Sequence, residues 1–153
     1  MKAYPIPSHR LREIIGAAKC LQEGQEAEFR NYGSKGKKLD ARLDLADGGF
    51  LDLRLFVHCD DPEVVNRFES GLCVAGPRVR GIGYSPVAVQ RKYKEYIPKG
   101  WHENVIDPNL PIQDDNHNRH VALPDFAPTD LQDFTRKSAQ RWNINLDFEE
   151  ELL

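Results

Sequence analysis

Long apolar runs and paired cysteines are both missing from this sequence of 153 residues. No stretch approaches the ~18 consecutive apolar residues of a transmembrane helix, and residues 1–7 lack the apolar core of a secretory signal. Three cysteines without a C-x-x-C pair indicate neither a disulfide framework nor a zinc knuckle. These absences predict a cytoplasmic protein that makes no contact with a membrane.

Signatures of nucleotide and metal cofactors are missing as well. Gly81-Ile82-Gly83 lacks the third glycine and the following helix of a dinucleotide loop, and no Gly-Lys-Ser/Thr sequence occurs. An H-E-x-x-H zinc motif is also absent, because Ile106 stands where a second histidine would follow His102. We therefore predict that the chain uses no cofactor and no metal.

The composition that is present is typical of an ordinary globular chain, with 40% hydrophobic and 29% charged residues. A chain of this length can form one domain without disulfides, so we predict a single domain over residues 1–153. The net charge of −3 is unevenly distributed: residues 78–100 carry +5, from six basic residues and one acidic residue, whereas the tail at residues 145–153 carries −4. Such asymmetry is found where a basic surface binds phosphates and an acidic tail contacts a partner, and also where both segments are simply solvated.

Helical periodicity marks both ends of the chain. Apolar residues recur every three or four positions over residues 9–23, with Ser8 as a cap and Gly24 as the end. Near the C-terminus, Thr129 and Gln132 have the spacing of a capping box, and an apolar stripe follows them. The sequence therefore predicts two amphipathic helices, one before and one after the central region.

The central region alternates with period two instead. Apolar and charged residues alternate on both sides of Asp47-Gly48-Gly49, which predicts a β-hairpin over residues 39–58. A polar, proline-rich loop region is predicted at residues 85–119. Further short strands are predicted at residues 25–31, 68–74, 78–84 and 101–106. The predicted fold class is α+β, a curved antiparallel sheet of four to six strands flanked by an N-terminal and a C-terminal helix on one face.

Histidine and arginine side chains concentrate in the second half of the chain. Histidine suits both proton transfers of metal-free RNA cleavage because its pKa lies near neutrality, and arginine suits the phosphate because its planar fork donates two hydrogen bonds. Aromatic side chains in the same region can stack on bases. The candidate catalytic residues are His102, Glu103, His117 and His120, and the candidate substrate-binding residues are Arg78, Arg80, Trp101 and Arg119.

In this hypothesis His102 or His120 is the general base, His117 is the acid, and the three arginines bind the phosphate. Two other interpretations of the same cluster stay open. His117 and His120 are three residues apart and can contribute to a metal site, although the helix after Thr129 supplies no further histidine. Histidine and asparagine in a proline-rich loop can also serve a structural purpose, because they satisfy backbone groups that no neighbouring strand pairs.

The C-terminal third has a characteristic order of features. A strand bearing Arg78 and Arg80 is followed by a polar, aromatic segment, by His117 and His120 at the start of a strand, and by a closing helix after residues 124–126. This order resembles TumE-like toxins and related small bacterial proteins encoded near toxin–antitoxin loci. The resemblance implies an activity on RNA and a fold of helices and an antiparallel sheet. The resemblance also implies that the site residues are His117, Arg119 and His120.

A second functional class is indicated by the acidic tail. Residues 145–153 alternate apolar and acidic side chains, which suits a segment that docks on a basic partner. Under this alternative the chain is a non-catalytic interaction protein, such as an antitoxin-like or adaptor module. The expected partners are therefore RNA or a cognate protein, and the sequence makes no prediction of the oligomeric state.

Overall fold

The structure is a computed structural model that describes residues 3–49, 51–90, 96–114 and 117–146. Its helices are α1 (Ser8–Gly16) and α2 (Leu131–Arg141). Its strands are β1 (Lys19–Leu21), β2 (Arg30–Tyr32), β3 (Gly36–Leu45), β4 (Leu53–Cys59), β5 (Glu69–Val74), β6 (Arg78–Ser85), β7 (Val89–Gln90), β8 (Tyr96–Ile97), β9 (Gly100–Ile106), β10 (Asn118–Ala122) and β11 (Ile144–Asn145).

Nine strands of the described residues form one sheet in the order β10-β9-β6-β5-β4-β3-β1-β11, with β2 paired to β3. All neighbours are antiparallel except β1 and β11, and β7 and β8 make a separate two-stranded ladder. The predicted α+β class is confirmed. The predicted sheet of four to six strands was too small, because β1, β10 and β11 extend the meander at its two edges. The sequence predicted no strand at β1 or β11, whereas β10 begins where His117 and His120 were placed at the start of a strand.

The predicted hairpin over residues 39–58 is confirmed as β3 and β4. Ala41 faces Leu55 and Leu43 faces Leu53 across the ladder, and these side chains are buried. The face of the sheet that bears them is called the inner face, and the opposite one the outer face. Both helices cover the inner face: α1 buries Leu11 in the same core, and Ser138 of α2 forms a hydrogen bond of 2.8 Å with Ser70 of β5.

The first helix is shorter than the predicted segment at residues 9–23. It ends at Gly16, and the following backbone enters β1, which pairs with β3 and β11. The reason is Lys19, which is 1% exposed and whose Nζ donates three hydrogen bonds of 2.7 Å to the carbonyls of Ile15, Ala17 and Trp142. Burial lowers the pKa of Lys19 to about 8, so at pH 7 the side chain keeps all three N–H donors.

The second helix begins one residue later than the predicted capping box. Asp130, and not Thr129, is the N-cap residue, and its Oδ1 accepts a hydrogen bond of 2.8 Å from the backbone N–H of Asp133. In return, Oδ2 of Asp133 accepts from the backbone N–H of Thr129 at 2.9 Å. This reciprocal pairing resembles a capping box in which aspartate takes the place predicted for Gln132.

The loop region predicted at residues 85–119 contains the strands β7, β8 and β9 and the start of β10. A polar loop connects β9 to β10. Its two ends lie together, because the backbone N–H of Asp107 donates to the carbonyl of His117 at 2.9 Å. The predicted acidic tail begins within β11, and Leu146 is buried, whereas residues 147–153 lie outside the described residues. No helix in the described part of the chain is long and apolar enough to cross a membrane.

Replacing Lys19 with methionine retains most of the apolar stem but removes the three donors. We expect the free energy of unfolding to fall by about 3 kcal/mol, because three carbonyls at the junction of α1, β1 and α2 lose their partner. Urea denaturation followed by tryptophan fluorescence measures the change. Lys35→Met, at an exposed turn position, is the control and should change the free energy by less than about 0.5 kcal/mol. Equal stability of the two variants would contradict this account of Lys19.

Candidate functional site

The site is best described from β9, whose side chains alternate between the two faces of the sheet. His102 pairs in register with Gly83 of β6, and Glu103 pairs with Ile82. Because neighbouring residues of a strand point to opposite faces, His102 lies on the outer face and Glu103 lies on the inner face. The candidate residues of β9 therefore lie on opposite faces of the sheet.

His102 and His120 are brought together on the outer face, and they are called the histidine pair. Their ring centroids lie 5.0 Å apart with the rings inclined at 73°. Nδ1 of His102 lies 3.2 Å from the carbonyl oxygen of Gly100, which can only accept, so this bond places the proton on Nδ1 and leaves Nε2 as a base. Burial lowers the pKa of His102; the hydrogen bond to Gly100 opposes this shift and the nearby His120 adds to it, so the neutral imidazole is favoured at pH 7.

Two asparagines that the sequence analysis did not single out flank the histidine pair. Asn104 faces His120 across the ladder, and Asn118 faces Ile106. The Oδ1 atoms of both asparagines are buried and have no hydrogen-bond partner among the described residues. A signal for them was present in the sequence, since each stands two positions from a histidine and therefore shares its face of a strand.

Open space adjoins His102 on the side of β6. Gly83 is its register partner, and a Cβ atom built on Gly83 would meet no atom within 4 Å. The outer face therefore has a depression beside the imidazole where any other residue would place a side chain. A ligand group can approach His102 from this side.

The three candidate arginines do not lie on one face. A β-bulge between β5 and β6 makes Arg78 the partner of Cys73 and Arg80 the partner of Leu72, so the two arginines project to opposite faces. Arg119 pairs with Val105 on the inner face. Of these three, only Arg78 shares the outer face with the histidine pair.

Glu103 anchors the second helix to the sheet. Its side chain is 8% exposed, and its Oε1 accepts hydrogen bonds from Nε and Nη2 of Arg141 at 3.2 and 2.9 Å. Its Oε2 accepts from the indole Nε1 of Trp142 at 2.7 Å. Both oxygens are thus engaged by α2 and the residue that follows it, on the face opposite to the histidine pair.

Trp101 and His117 are also placed apart from the histidine pair. Trp101 packs on the inner face, where its ring contacts those of Tyr84, Phe126 and Phe134 at centroid distances of 5.3 to 5.4 Å. His117 precedes β10, and its Nδ1 lies 3.0 Å from the carbonyl oxygen of Asp107. The ring of His117 therefore helps to close the loop between β9 and β10.

Within the described residues, no group of three or more His, Cys, Asp or Glu side chains is arranged to hold a metal ion. Comparisons of the chain with protein-family models, with curated proteins and with solved structures find no match. Any function is therefore inferred from the geometry of the outer and inner faces.

Replacing Glu103 with glutamine tests its anchoring position. We expect the free energy of unfolding to fall by about 2 kcal/mol, because an amide cannot accept from Arg141 and Trp142 at both ends. Glu13→Gln breaks an exposed ion pair with Arg10 and is the matched control, with an expected change below about 0.5 kcal/mol. The two variants are compared by their urea denaturation midpoints, provided that the slope of unfolding free energy against urea concentration is unchanged. A loss no larger than that of Glu13→Gln would contradict the assignment.

Proposed function

We propose that this protein is a toxin-type, metal-independent endoribonuclease whose acid–base centre is the histidine pair. The observation that supports it is the approach of two imidazoles to 5.0 Å on the outer face, beside the open space at Gly83. Two imidazoles can supply the base and the acid that cleavage of a phosphodiester requires near neutral pH. The resemblance to TumE-like toxins supports the same class of substrate.

The proposed reaction is attack of a ribose 2′-hydroxyl on the adjacent phosphorus. Nε2 of His102 removes the hydroxyl proton, and the new P–O bond forms as the bond to the 5′-oxygen breaks. Protonated His120 delivers a proton to that leaving oxygen, so the products are a 2′,3′-cyclic phosphate and a 5′-hydroxyl. This assignment transfers the role of acid from His117 to His120, because His117 is held at the carbonyl of Asp107.

Arg78 is the phosphate-binding residue of this proposal. Its Nη1 lies 3.6 Å from the position of a Cβ atom on Gly81, so the guanidinium extends over β6 on the outer face. Gly81 is the register partner of Asn104, which in turn faces His120. In this proposal, a phosphate beside the histidine pair accepts hydrogen bonds from the Arg78 guanidinium and the Asn104 amide.

An aromatic row on the outer face supports single-stranded RNA as the substrate. The ring of Tyr32 lies 6.2 Å from that of His58, which stacks on Phe56 at 5.8 Å and 11°. A Cβ atom on Gly71 would collide with the Phe56 ring and lie 2.9 Å from Cδ of Arg78, so both side chains cover this glycine. The row thus continues from Tyr32 to Arg78, and such surfaces bind unpaired bases by stacking.

The catalytic assignment is tested with labelled single-stranded RNA in the presence of EDTA. We expect His102→Ala and His120→Ala each to reduce kcat/KM at least about 100-fold, because each removes one proton-transfer group. His9→Ala, at an exposed position in the first turn of α1, is the control and should retain wild-type activity. Intact RNA after incubation with the wild-type protein would contradict the proposal and favour the non-catalytic interaction protein.

The pH profile tests which state of His102 is active. Burial lowers the pKa of His102 below its usual 6.5, so the imidazole stays unprotonated at a pH where an exposed histidine is half protonated. We therefore expect the acid limb of kcat/KM to lie below pH 6.5, with activity lost as the pH falls through the lowered value. Single-turnover cleavage measured from pH 4.5 to 9 gives the profile. An acid limb at or above 6.5 would contradict the role of His102 as the base.

A further inference from the structure

A cleft on the inner face brings together three arginines that are distant in sequence. It lies between α1 and the strands β6, β9 and β10, and its volume is about 270 Å³. Arg12 of α1, Arg80 of β6 and Arg119 of β10 line it, together with Asp107. These residues are called the arginine cleft. Arg12 was not singled out from the sequence, because nothing in the α1 pattern relates it to the two strand arginines.

Basic residues outnumber acidic residues in the lining of the arginine cleft. Three guanidiniums and the Asp107 carboxylate give a local net charge of +2. Burial lowers the pKa of Arg80; the charges of Arg119 and Arg12 also lower it, whereas the carboxylates of Glu103 and Asp107 raise it. Glu103 acts on Arg80 from nearby, but both of its oxygens already accept from α2 and Trp142.

The guanidinium of Arg80 is held in a defined position. Its Nη1 donates to the carbonyl of Val79 at 2.7 Å and lies 3.5 Å from that of Ile106. Asp107 is held as well: burial alone would raise its pKa, but hydrogen bonds from Ser8 and Asn109 and the charge of Arg12 lower it below the usual value. Arg80 and Asp107 are therefore positioned before any ligand arrives, which reduces the entropic cost of binding.

We propose that the arginine cleft binds a phosphate dianion, either free or as a phosphomonoester. Two negative charges match the local charge of +2, and guanidinium forks donate paired hydrogen bonds to phosphate oxygens. The volume lies below the roughly 300–1,000 Å³ of sites for drug-sized ligands, which favours a small anion. Ser8, in the first turn of α1, also lines the cleft, so the positive end of the helix faces it.

This binding site is separate from the proposed nuclease centre. Arg80 and Arg119 lie on the inner face, whereas the histidine pair lies on the outer face, so the two sites are on opposite sides of the sheet. A protein without nuclease activity can therefore still bind phosphate here, and the failure of either proposal is recognised without reference to the other.

Isothermal titration with inorganic phosphate at constant ionic strength, with chloride as the reference anion, tests the arginine cleft. We expect saturable binding by the full-length protein and a dissociation constant about tenfold or more higher for Arg12→Gln, because one charge-assisted contact is lost. Arg10→Gln is the matched control, since Arg10 is on the same helix but pairs with Glu13 and does not line the cleft. Its dissociation constant should equal that of the wild type.

The source of the phosphate is resolved by a second titration with a nucleoside monophosphate and the corresponding nucleoside. Tighter binding of the monophosphate than of inorganic phosphate would identify a phosphomonoester as the ligand, and equal binding would identify the free anion. The proposal is overturned if phosphate binds no better than chloride, or if Arg12→Gln and Arg10→Gln bind it equally.

Discussion

Alternation of side chains along β9 determines which face of the sheet each of its candidate residues occupies. His102 and Asn104 face outward, whereas Trp101, Glu103 and Val105 face the helices, because the period of a strand is two residues. A slip of one residue would exchange the two sets and bury the histidines under α2. The hydrogen bonds from Trp142 and Arg141 to Glu103 oppose such a slip, since they require this carboxylate on the inner face. The anchoring of α2 and the position of the histidine pair are therefore consequences of one register.

Local patterns predicted the parts of the fold that depend on local contacts. The hairpin over residues 39–58 was predictable because the turn and both alternating strands are close in sequence. The first helix was predicted too long because the apolar residues before and after Lys19 fit a helical stripe equally well. This segment joins the sheet through contacts with residues that are distant in sequence. The Lys19 ammonium donates to the carbonyl of Trp142, and β1 pairs with β11. Propensity and periodicity contain no information about such a partner, so β1 and β11 were not predicted.

The candidate site was predictable to a similar degree. His102 and His120 were identified by residue type, and the structure places their rings in contact. Arg78 and Arg80 were assigned to one phosphate clamp because residues two apart share a face in a regular strand, but a bulge in β6 places them on opposite faces. Arg80 instead lies with Arg119 and Arg12 in one cleft on the inner face. The structure thus divides one predicted constellation between two faces of the sheet. We propose proton transfer on RNA for the outer face and phosphate binding for the inner cleft.

The division between the two faces is tested most directly by NMR spectroscopy of the histidine rings. The imidazole signals of His102, His120 and His9 would be followed during titration with a short single-stranded oligonucleotide carrying 2′-O-methyl groups, which cannot be cleaved because the attacking hydroxyl is blocked. The account predicts saturable shifts of His102 and His120 and none of His9, which lies on the exposed first turn of α1. Shifts confined to signals outside the histidine pair, or no shift at all, would contradict the assignment of the outer face to RNA.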